Sequence, residues 1–293
     1  MVEDGSPGLA LLSEGLFRHT GKAWTIGITG SPGVGKSTLA ASLVRAARGR
    51  DRSAAVLAID PTSPFTGGAL LGDRLRMQEH ATDPGVFIRS MATRGHLGGM
   101  ALAAPEAIRI LDASGKDLVI VETVGVGQAE VEVAAATDTT LVVVAPGWGD
   151  AVQVAKAGIL EIADVFVVNK CDREGANEAA RDLQSMIRMG PELEWTPPVV
   201  KVSALTPEGI DELWKAIDAH RTHLVESGRL GKRRRARLVK EVETLATERL
   251  RKRAGALLAH DDRDRLADEL DARKLDPYRA ADILIARVAE TVD

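Results

Sequence analysis

The sequence predicts an α/β fold in which helices flank a mostly parallel sheet, followed by a small α-helical appendage at the C-terminus. Short apolar runs recur between residues 24 and 202, and most are continuous, as in strands covered on both faces. Helical stretches such as 99–114 and 151–162 lie between many of them, which favours parallel strands joined by helices. The runs that predict strands are 24–28, 54–59, 86–88, 118–121, 141–144, 165–168 and 199–202.

Composition narrows the class of protein. The chain has 293 residues, of which 45% are hydrophobic and 27% charged, as is typical of a globular protein with a substantial core. A net charge of −4 and an aromatic content of 3% give no reason to expect nucleic acid as a partner. No apolar run approaches the ~18 residues of a membrane helix, so no membrane association is expected. The start lacks the basic and apolar parts of a signal peptide, so we expect a cytoplasmic protein. The single cysteine, Cys171, excludes an internal disulfide and is interpreted as a neutral packing residue.

A glycine-rich loop between the first strand and a helix is the most informative motif. Residues 30–37 have the sequence GSPGVGKS, which matches G-x-x-x-x-G-K-[ST]. Glycines let backbone N–H groups surround a polyphosphate at a helix N-terminus. Lys36 can reach the β- and γ-phosphates, and the Ser37 hydroxyl can ligate Mg²⁺. The motif therefore predicts a P-loop NTPase, with nucleotide contacts from Gly30, Pro32, Gly33, Val34, Gly35, Lys36, Ser37 and Thr38.

Two later loops indicate which base is bound. An N-K-x-D motif follows the run 165–168, and its Asp172 carboxylate can accept hydrogen bonds from the guanine N1–H and exocyclic amine, a donor pair that adenine lacks. The Lys170 stem can lie along the base plane, and Asn169 can tie the loop together. In a second loop, the Ala204 N–H is expected to meet guanine O6. Such a site can reject adenine by up to ~10⁴-fold, so GTP and GDP are the predicted nucleotides. The complete base-binding set is Asn169, Lys170, Asp172, Ser203, Ala204 and Leu205.

Three carboxylates stand where Mg²⁺ and the γ-phosphate are expected. Asp60 ends the second strand, Asp73 lies in the glycine-rich stretch 66–76, and Glu122 ends the strand at 118–121. Hard oxygen ligands suit Mg²⁺, so these carboxylates and Ser37 form the predicted metal set, and the carboxylates with Lys36 form the predicted catalytic set. Helix capping is the alternative for Asp60 and Glu122, and a plain loop role is the alternative for Asp73.

Other stretches suit elements that respond to the nucleotide. Gly125 can offer its N–H to the γ-phosphate and so sense its loss. Gln128 can orient water, although a helix-surface role fits equally well. The stretch 146–150, with Lys156 shortly after it, and a glycine-rich stretch around Arg94 suit either a switch or ordinary turns.

The chain changes character after residue 226. A basic run at 232–237 is interpreted as the solvated start of a helix, with docking of an acidic partner as the alternative. Asp276 and Pro277 predict the beginning of a last helix. We expect an N-terminal segment at 1–22, a P-loop domain at 23–225, and a helical region at 226–293 that is either a lid on the same core or a dimerisation or docking arm.

In their order and combination, these motifs resemble the MeaB/ArgK family of P-loop GTPases, to which the methylmalonic aciduria type A protein belongs. The resemblance covers about residues 24–220. It implies slow GTP hydrolysis by a homodimer that binds an adenosylcobalamin-dependent acyl-CoA mutase, usually methylmalonyl-CoA mutase, gates its cofactor loading and protects it from inactivation. The stretches that carry it are GSPGVGKST, DPTSP, GDRLRM, ETVGVGQAE, PGWGD and NKCD.

The resemblance also implies roles for particular residues. It assigns phosphate and Mg²⁺ binding to Lys36 and Ser37, and the guanine site to Asn169 and Asp172. It further implies Mg²⁺ and catalytic carboxylates at Asp60, Asp73 and Glu122, a second switch at 122–130, and a switch facing the mutase at Asp150 and Lys156.

Three other functions fit the sequence less well. The family has also been labelled as kinases that act in lysine, arginine and ornithine transport, but the sequence contains no protein-kinase signature. A metal-delivery GTPase would need Cys or His ligands in a metal-binding loop, which the sequence lacks. A nucleotide-dependent scaffold without turnover would not need the three carboxylates. Since no arginine finger is evident in cis, we expect low basal turnover that a partner raises.

Overall fold

The apolar runs of the sequence form one parallel sheet in the part of the chain that the structure describes. This computed structural model describes residues 2, 8–61, 80, 82–93, 99–123, 129–147, 161–258 and 261–290. The strand at 86 continues past the expected end at 88, because it pairs with its neighbour up to Thr93. The strands are β1 (Trp24–Thr29), β2 (Ala54–Pro61), β3 (Val86–Thr93), β4 (Leu118–Thr123), β5 (Thr139–Val144), β6 (Val165–Val168) and β7 (Val199–Lys201).

Helices connect the strands, as the sequence predicted for an α/β fold. The expected helix at 99–114 is present, whereas most of the expected helix at 151–162 lies outside the described residues. A helix after Pro207 and helices at the C-terminus are also present. The helices of the described residues are α1 (Gly8–Phe17), α2 (Lys36–Arg48), α3 (Gly99–Ala113), α4 (Ala129–Ala136), α5 (Ala176–Met189), α6 (Ile210–Glu226), α7 (Arg229–Leu257), α8 (Asp261–Asp271) and α9 (Pro277–Glu290).

The strand order places β1 in the middle of the sheet. The order is β3-β2-β4-β1-β5-β6-β7, and every neighbouring pair is parallel. Because all strands run in the same direction, their carboxyl ends lie at one edge, where ligands of such sheets bind. The predicted parallel α/β fold is therefore confirmed.

Both faces of the sheet are buried along β1, β4, β5 and β6, which explains why these strands are largely apolar. On one face, Ile26 and Ile28 of β1 pack with Leu39 and Leu43 of α2 and with Leu213 of α6. All five side chains are completely buried. On the other face, β2 and β4 pack against α3 and α4, and β5 and β6 pack against α5.

The chain divides into two compact units, Met1–Arg237 and Leu238–Asp293. The first unit contains the sheet, and the second begins within α7 and contains α8 and α9. No helix in the described part of the chain combines the length and the apolar composition that crossing a membrane requires.

Two buried carboxylates lie at the amino edge of the sheet, opposite the carboxyl ends. Asp138 directly precedes β5 and Asp164 directly precedes β6, and their side chains are 1% and 9% exposed. Each accepts a backbone N–H from a neighbouring strand: Asp138 from Thr25 at 3.3 Å, and Asp164 from Thr140 at 2.9 Å. A buried carboxylate also requires a positive partner, because desolvation penalises its charge.

Three arginines at the start of α7 supply that positive charge. Arg234 Nη2 lies 2.6 Å from Asp138 Oδ2, and Arg237 also pairs with Asp138. Arg233 contacts both oxygens of Asp164, with Nη2 at 3.1 Å from Oδ1. We call these three residues the arginine clamp. The expectation that this basic run is a solvated helix start, or a site for an acidic partner, is therefore wrong for the clamp, because buried carboxylates of the same chain bind it.

The clamp, together with His220 beside Asp164, keeps the two carboxylates ionised. Burial raises the pKa of Asp138 and of Asp164, but hydrogen bonds and nearby positive charge outweigh it and hold both pKa values below the ordinary 3.8. These partners are Arg234 and Arg237 for Asp138, and His220 and Arg233 for Asp164. Both pKa values are depressed in the folded protein, so the ionised carboxylates stabilise the fold. This stabilisation is complete above the ordinary pKa of 3.8 and is lost as the pH falls through the lowered pKa values of the folded state.

The clamp compensates for weak apolar contact along α7, since no residue of this helix is buried. We expect Arg234→Ala to lower the free energy of unfolding by about 2 kcal/mol, because Asp138 then loses one of the two arginines that pair with it among the described residues. Arg235→Ala is the matched control, since Arg235 is exposed on the same helix. Urea unfolding followed by circular dichroism measures both variants, and equal stabilities would contradict the role of the clamp.

Candidate nucleotide-binding site

The predicted nucleotide loops converge at the carboxyl edge of the sheet. Residues 30–35 follow β1, 169–172 follow β6, and 203–205 follow β7. Glu122 of β4 pairs in register with Ile28 of β1, so it lies next to the start of the P-loop. The parallel topology thus brings together residues that are far apart in the sequence.

Two positions in the P-loop require glycine. Gly30 has φ +136°, and a Cβ there would lie 2.1 Å from the carbonyl oxygen of Val143 on β5. Gly35 has φ +97°, and a Cβ there would lie 2.4 Å from Nδ2 of Asn169. Positive φ and the lack of space both exclude other residues. The loop therefore packs directly against β5 and the loop after β6.

The P-loop leads into α2, which begins at Lys36. Lys36 is 5% exposed, and its Nζ donates to the carbonyl oxygens of Gly30 at 2.6 Å and Ser31 at 3.0 Å. The ammonium group therefore lies against the loop that is predicted to surround the phosphates. Val34 is fully buried and belongs to the core, so only its backbone is suited to a nucleotide contact. Pro32 is exposed, and Thr38 is partly exposed in the first turn of α2.

Ser37 and Glu122, two members of the predicted metal set, are in contact. The Ser37 hydroxyl donates to Glu122 Oε1, and the two residues are 6% and 2% exposed. A hydroxyl and a carboxylate are hard oxygen ligands of the kind that Mg²⁺ prefers. The residues present therefore fit a magnesium site between the P-loop and the end of β4.

Asn169 joins the loop after β6 to the two other loops. Its Nδ2 donates to the carbonyl oxygen of Val34 at 2.8 Å, and its Oδ1 accepts the N–H of Lys170 at 2.8 Å and of Ala204 at 3.0 Å. Lys170 adds a second link, since its Nζ donates to Gly33 O at 2.7 Å. The sequence predicted that Asn169 ties its own loop together, and the structure extends this link to the P-loop and to residues 203–205.

The Ala204 N–H has a partner within the protein, and its contact with guanine O6 stays a prediction. The sequence predicted that it would be available to guanine O6, but in this structure it is bonded to Asn169 Oδ1. The Ala204 carbonyl is bonded as well, because it accepts the Ser42 hydroxyl at 2.8 Å. Sequence reasoning did not identify Ser42, whose signal is a hydroxyl on the apolar side of α2.

The other predicted base-binding residues line the same edge. Asp172 is exposed, as is Leu205, whose exposed fraction is 85%. Ser203 is buried, and its N–H donates to the carbonyl oxygen of Glu208. Burial, with Glu208 nearby, raises the pKa of the Cys171 thiol. A neutral Cys171 agrees with the interpretation of this residue as packing and not as a nucleophile.

Several predicted residues cannot be located at this edge. Asp60 belongs to β2, but its side chain lies outside the described part of the structure. Asp73, Gly125, Gln128, Asp150, Lys156 and Arg94 also lie outside the described residues, as does most of the predicted second switch. Their roles stay predictions.

Comparison with known proteins agrees with this geometry. The model of the family described as methylmalonyl-CoA mutase-associated GTPase MeaB matches residues 2–258. This chain belongs to the MeaB family. A protein of Pyrococcus horikoshii whose name assigns it to the GTPases is 47% identical over 98% of this chain and 92% of its own length. The MeaB-family match makes this chain a GTP hydrolase that binds GTP, GDP and Mg²⁺.

Two further matches concern more specific functions. The mitochondrial methylmalonic aciduria type A homolog of Caenorhabditis elegans is 37% identical over 76% of this chain and 58% of its own length. The crystal structure of an LAO/AO transport system kinase has a TM-score of 0.69 at 28% identity, covering 97% of this chain and 86% of the other. The resemblance to the MeaB/ArgK family is therefore confirmed.

The exposed Asp172 carboxylate gives a direct test of guanine recognition. We expect Asp172→Asn to weaken GTP binding by about 100-fold, because it loses an acceptor for the guanine donor pair, while the affinity for ATP changes little. Calorimetry with each nucleotide measures both affinities. Asp182→Asn, at an exposed position of α5, is the control and should bind as the wild type does. Equal losses for GTP and ATP would remove the guanine assignment.

Proposed function

We propose that this GTPase is a chaperone for an adenosylcobalamin-dependent acyl-CoA mutase, whose cofactor loading it gates and which it protects from inactivation. Methylmalonyl-CoA mutase is the proposed partner. The match to the MeaB family over residues 2–258 carries the proposal, since it extends from the nucleotide loops through α7. The similarity to a methylmalonic aciduria type A homolog supports the same class of partner.

In this proposal, residues at the carboxyl edge bind and orient the nucleotide. Lys36 and the N–H groups of the P-loop hold the phosphates, while Asn169, Lys170 and Asp172 orient the guanine. Bound Mg²⁺, held through Ser37 and Glu122 and by the predicted carboxylates Asp60 and Asp73, would neutralise phosphate charge. Low basal turnover is expected, since the sequence shows no evident arginine finger in cis, and contact with the partner is expected to raise it.

A kinase linked to amino-acid transport is the second candidate. The specific observation in its favour is the structural likeness to an LAO/AO transport system kinase. In that case the γ-phosphoryl group would pass to a protein and not to water. Recovery of the partner distinguishes the two candidates, because only the chaperone proposal requires a cobalamin mutase.

Affinity capture from a native lysate of the source organism tests the proposed partner. We expect the wild-type protein, loaded with a non-hydrolysable GTP analogue, to retain an adenosylcobalamin-dependent mutase identified by mass spectrometry. Lys36→Ala is the control bait, since loss of the buried phosphate ligand should abolish tight GTP binding. A mutase absent from the wild-type sample, or equally abundant with both baits, would count against a nucleotide-gated chaperone.

We also propose that the protein acts as a homodimer. The C-terminal unit, 238–293, exposes large apolar side chains, which favours an interface. Val242 and Ile285 are 65% and 66% exposed, and Tyr278 is 86% exposed. Val239 and Leu250 are also more than half exposed.

Mass measurement in solution tests the homodimer. Light scattering is expected to give twice the mass of the 31.2 kDa chain, and Val242→Asp should shift the mass towards one chain because it places a charge among the exposed apolar groups. Asp268→Asn, on α8 of the same unit, serves as the control. A wild-type mass of one chain across the concentration range would contradict the proposal.

A further inference from the structure

Ser42 is a buried hydroxyl on the apolar side of α2. It is 4% exposed and is flanked by Ala41 and Leu43, which are also buried. Serine is a poor residue for such a position, since a desolvated hydroxyl costs free energy unless it is hydrogen-bonded. A helical serine commonly bonds the carbonyl one turn earlier, but the Ser42 hydroxyl instead donates to Ala204 O, 162 positions further along the chain.

The target of this hydrogen bond is the loop that follows β7. The Ala204 carbonyl accepts from Ser42 at 2.8 Å, while the Ala204 N–H donates to Asn169 at 3.0 Å. The Ala204 side chain is also buried, in the same core cluster as Leu39 and Leu43 of α2. Both backbone polar groups of one loop residue are thus bonded within the protein, which determines its position closely.

These bonds close a ring that links the phosphate-binding and base-binding parts of the site. Asn169 binds Val34 on one side and Ala204 on the other. Ser42 connects Ala204 back to α2, the helix that begins directly after the P-loop. If the Ser42 bond were lost, the loop at 203–205 would keep one link of this ring to the P-loop, the hydrogen bonds of Asn169.

We propose that Ser42 is a positioning residue for guanine recognition. It acts through Ala204 and holds the loop at 203–205 in register with Asn169 and Asp172, so that the base enters a preorganised site. Nothing in this role requires contact between Ser42 and the nucleotide. The inference rests on the GTPase activity of the family and is independent of the mutase partner.

The position of Ser42 also predicts which kinetic parameter changes. Removing the hydroxyl leaves the Ala204 carbonyl without its partner and loosens the base loop, so KM for GTP rises by roughly tenfold in Ser42→Ala. The phosphate-side contacts at Lys36, Ser37 and Glu122 stay intact, so kcat at saturating GTP stays within about twofold. The preference for GTP over ATP falls, because a loosened loop affects the bound base and not the phosphates.

Steady-state hydrolysis and calorimetry with GTP and ATP test the proposal on the full chain. Ser42→Thr keeps a hydroxyl and is expected to restore most of the GTP affinity. The control is Ser114→Ala, which removes a partly buried hydroxyl that donates to Leu111 O at 2.7 Å, at the end of α3. The proposal requires a raised KM with an unchanged kcat in Ser42→Ala alone. If this variant does not fold, Ser42→Cys, with a weaker donor of similar size, replaces it.

Two outcomes would overturn the role of Ser42. One is a KM for GTP equal to that of the wild type in a folded Ser42→Ala or Ser42→Cys protein. The other is a loss of thermal stability with no change in the GTP-to-ATP preference, which would make the hydroxyl structural only. Neither outcome depends on whether a mutase is bound, so the proposed function is tested separately.

Discussion

The hydrogen bonds of the Asn169 carboxamide hold together the loops of the predicted nucleotide site. Asn169 is only 1% exposed, so the donor and acceptor groups of its side chain need partners within the protein. Those partners belong to different loops, since Nδ2 binds Val34 of the P-loop and Oδ1 binds Ala204 of the loop after β7. Gly35 lacks a Cβ at the point where this amide lies closest to the P-loop. This side chain therefore links the P-loop directly to the loop at 203–205.

Contacts at the amino edge complement this arrangement. Asp138 and Asp164 hold the starts of β5 and β6, and the arginine clamp neutralises them there. At its other end, β6 leads directly to Asn169. Polar contacts thus hold this strand at both ends, and its apolar middle is buried on both faces of the sheet. Site residues mounted on such a strand have little freedom to move, which is the preorganisation that tight binding of a nucleotide requires.

The sequence predicted the parts of the fold and site that depend on local patterns. Continuous apolar runs marked strands buried on both faces, and the spacing of glycines before Lys36 marked the P-loop. The arginine clamp was not predictable in this way, because Arg234 and Asp138 are 96 positions apart and each resembles an ordinary surface residue in its own segment. The length of β3 also depends on a long-range effect, since pairing with β2 extends it to Thr93. The role of Ser42 was not predictable for the same reason, because its partner Ala204 is 162 positions away.

Asp172 and Ala204, which belong to the two predicted base-binding loops, differ in exposure. Asp172 is exposed at the end of β6, so its carboxylate is available to the donors of a base. Ala204, in contrast, has both backbone groups bonded within the protein, to Asn169 and Ser42. In the proposed guanine site, the Asp172 carboxylate would supply most of the free energy of discrimination, because adenine offers it no matching donor pair. In the same proposal, the loop at 203–205 would determine where the base lies relative to that carboxylate. Its hydrogen bonds to Asn169 and Ser42 hold the geometry of this loop, and the contacts of residues 203–205 with the base stay predictions.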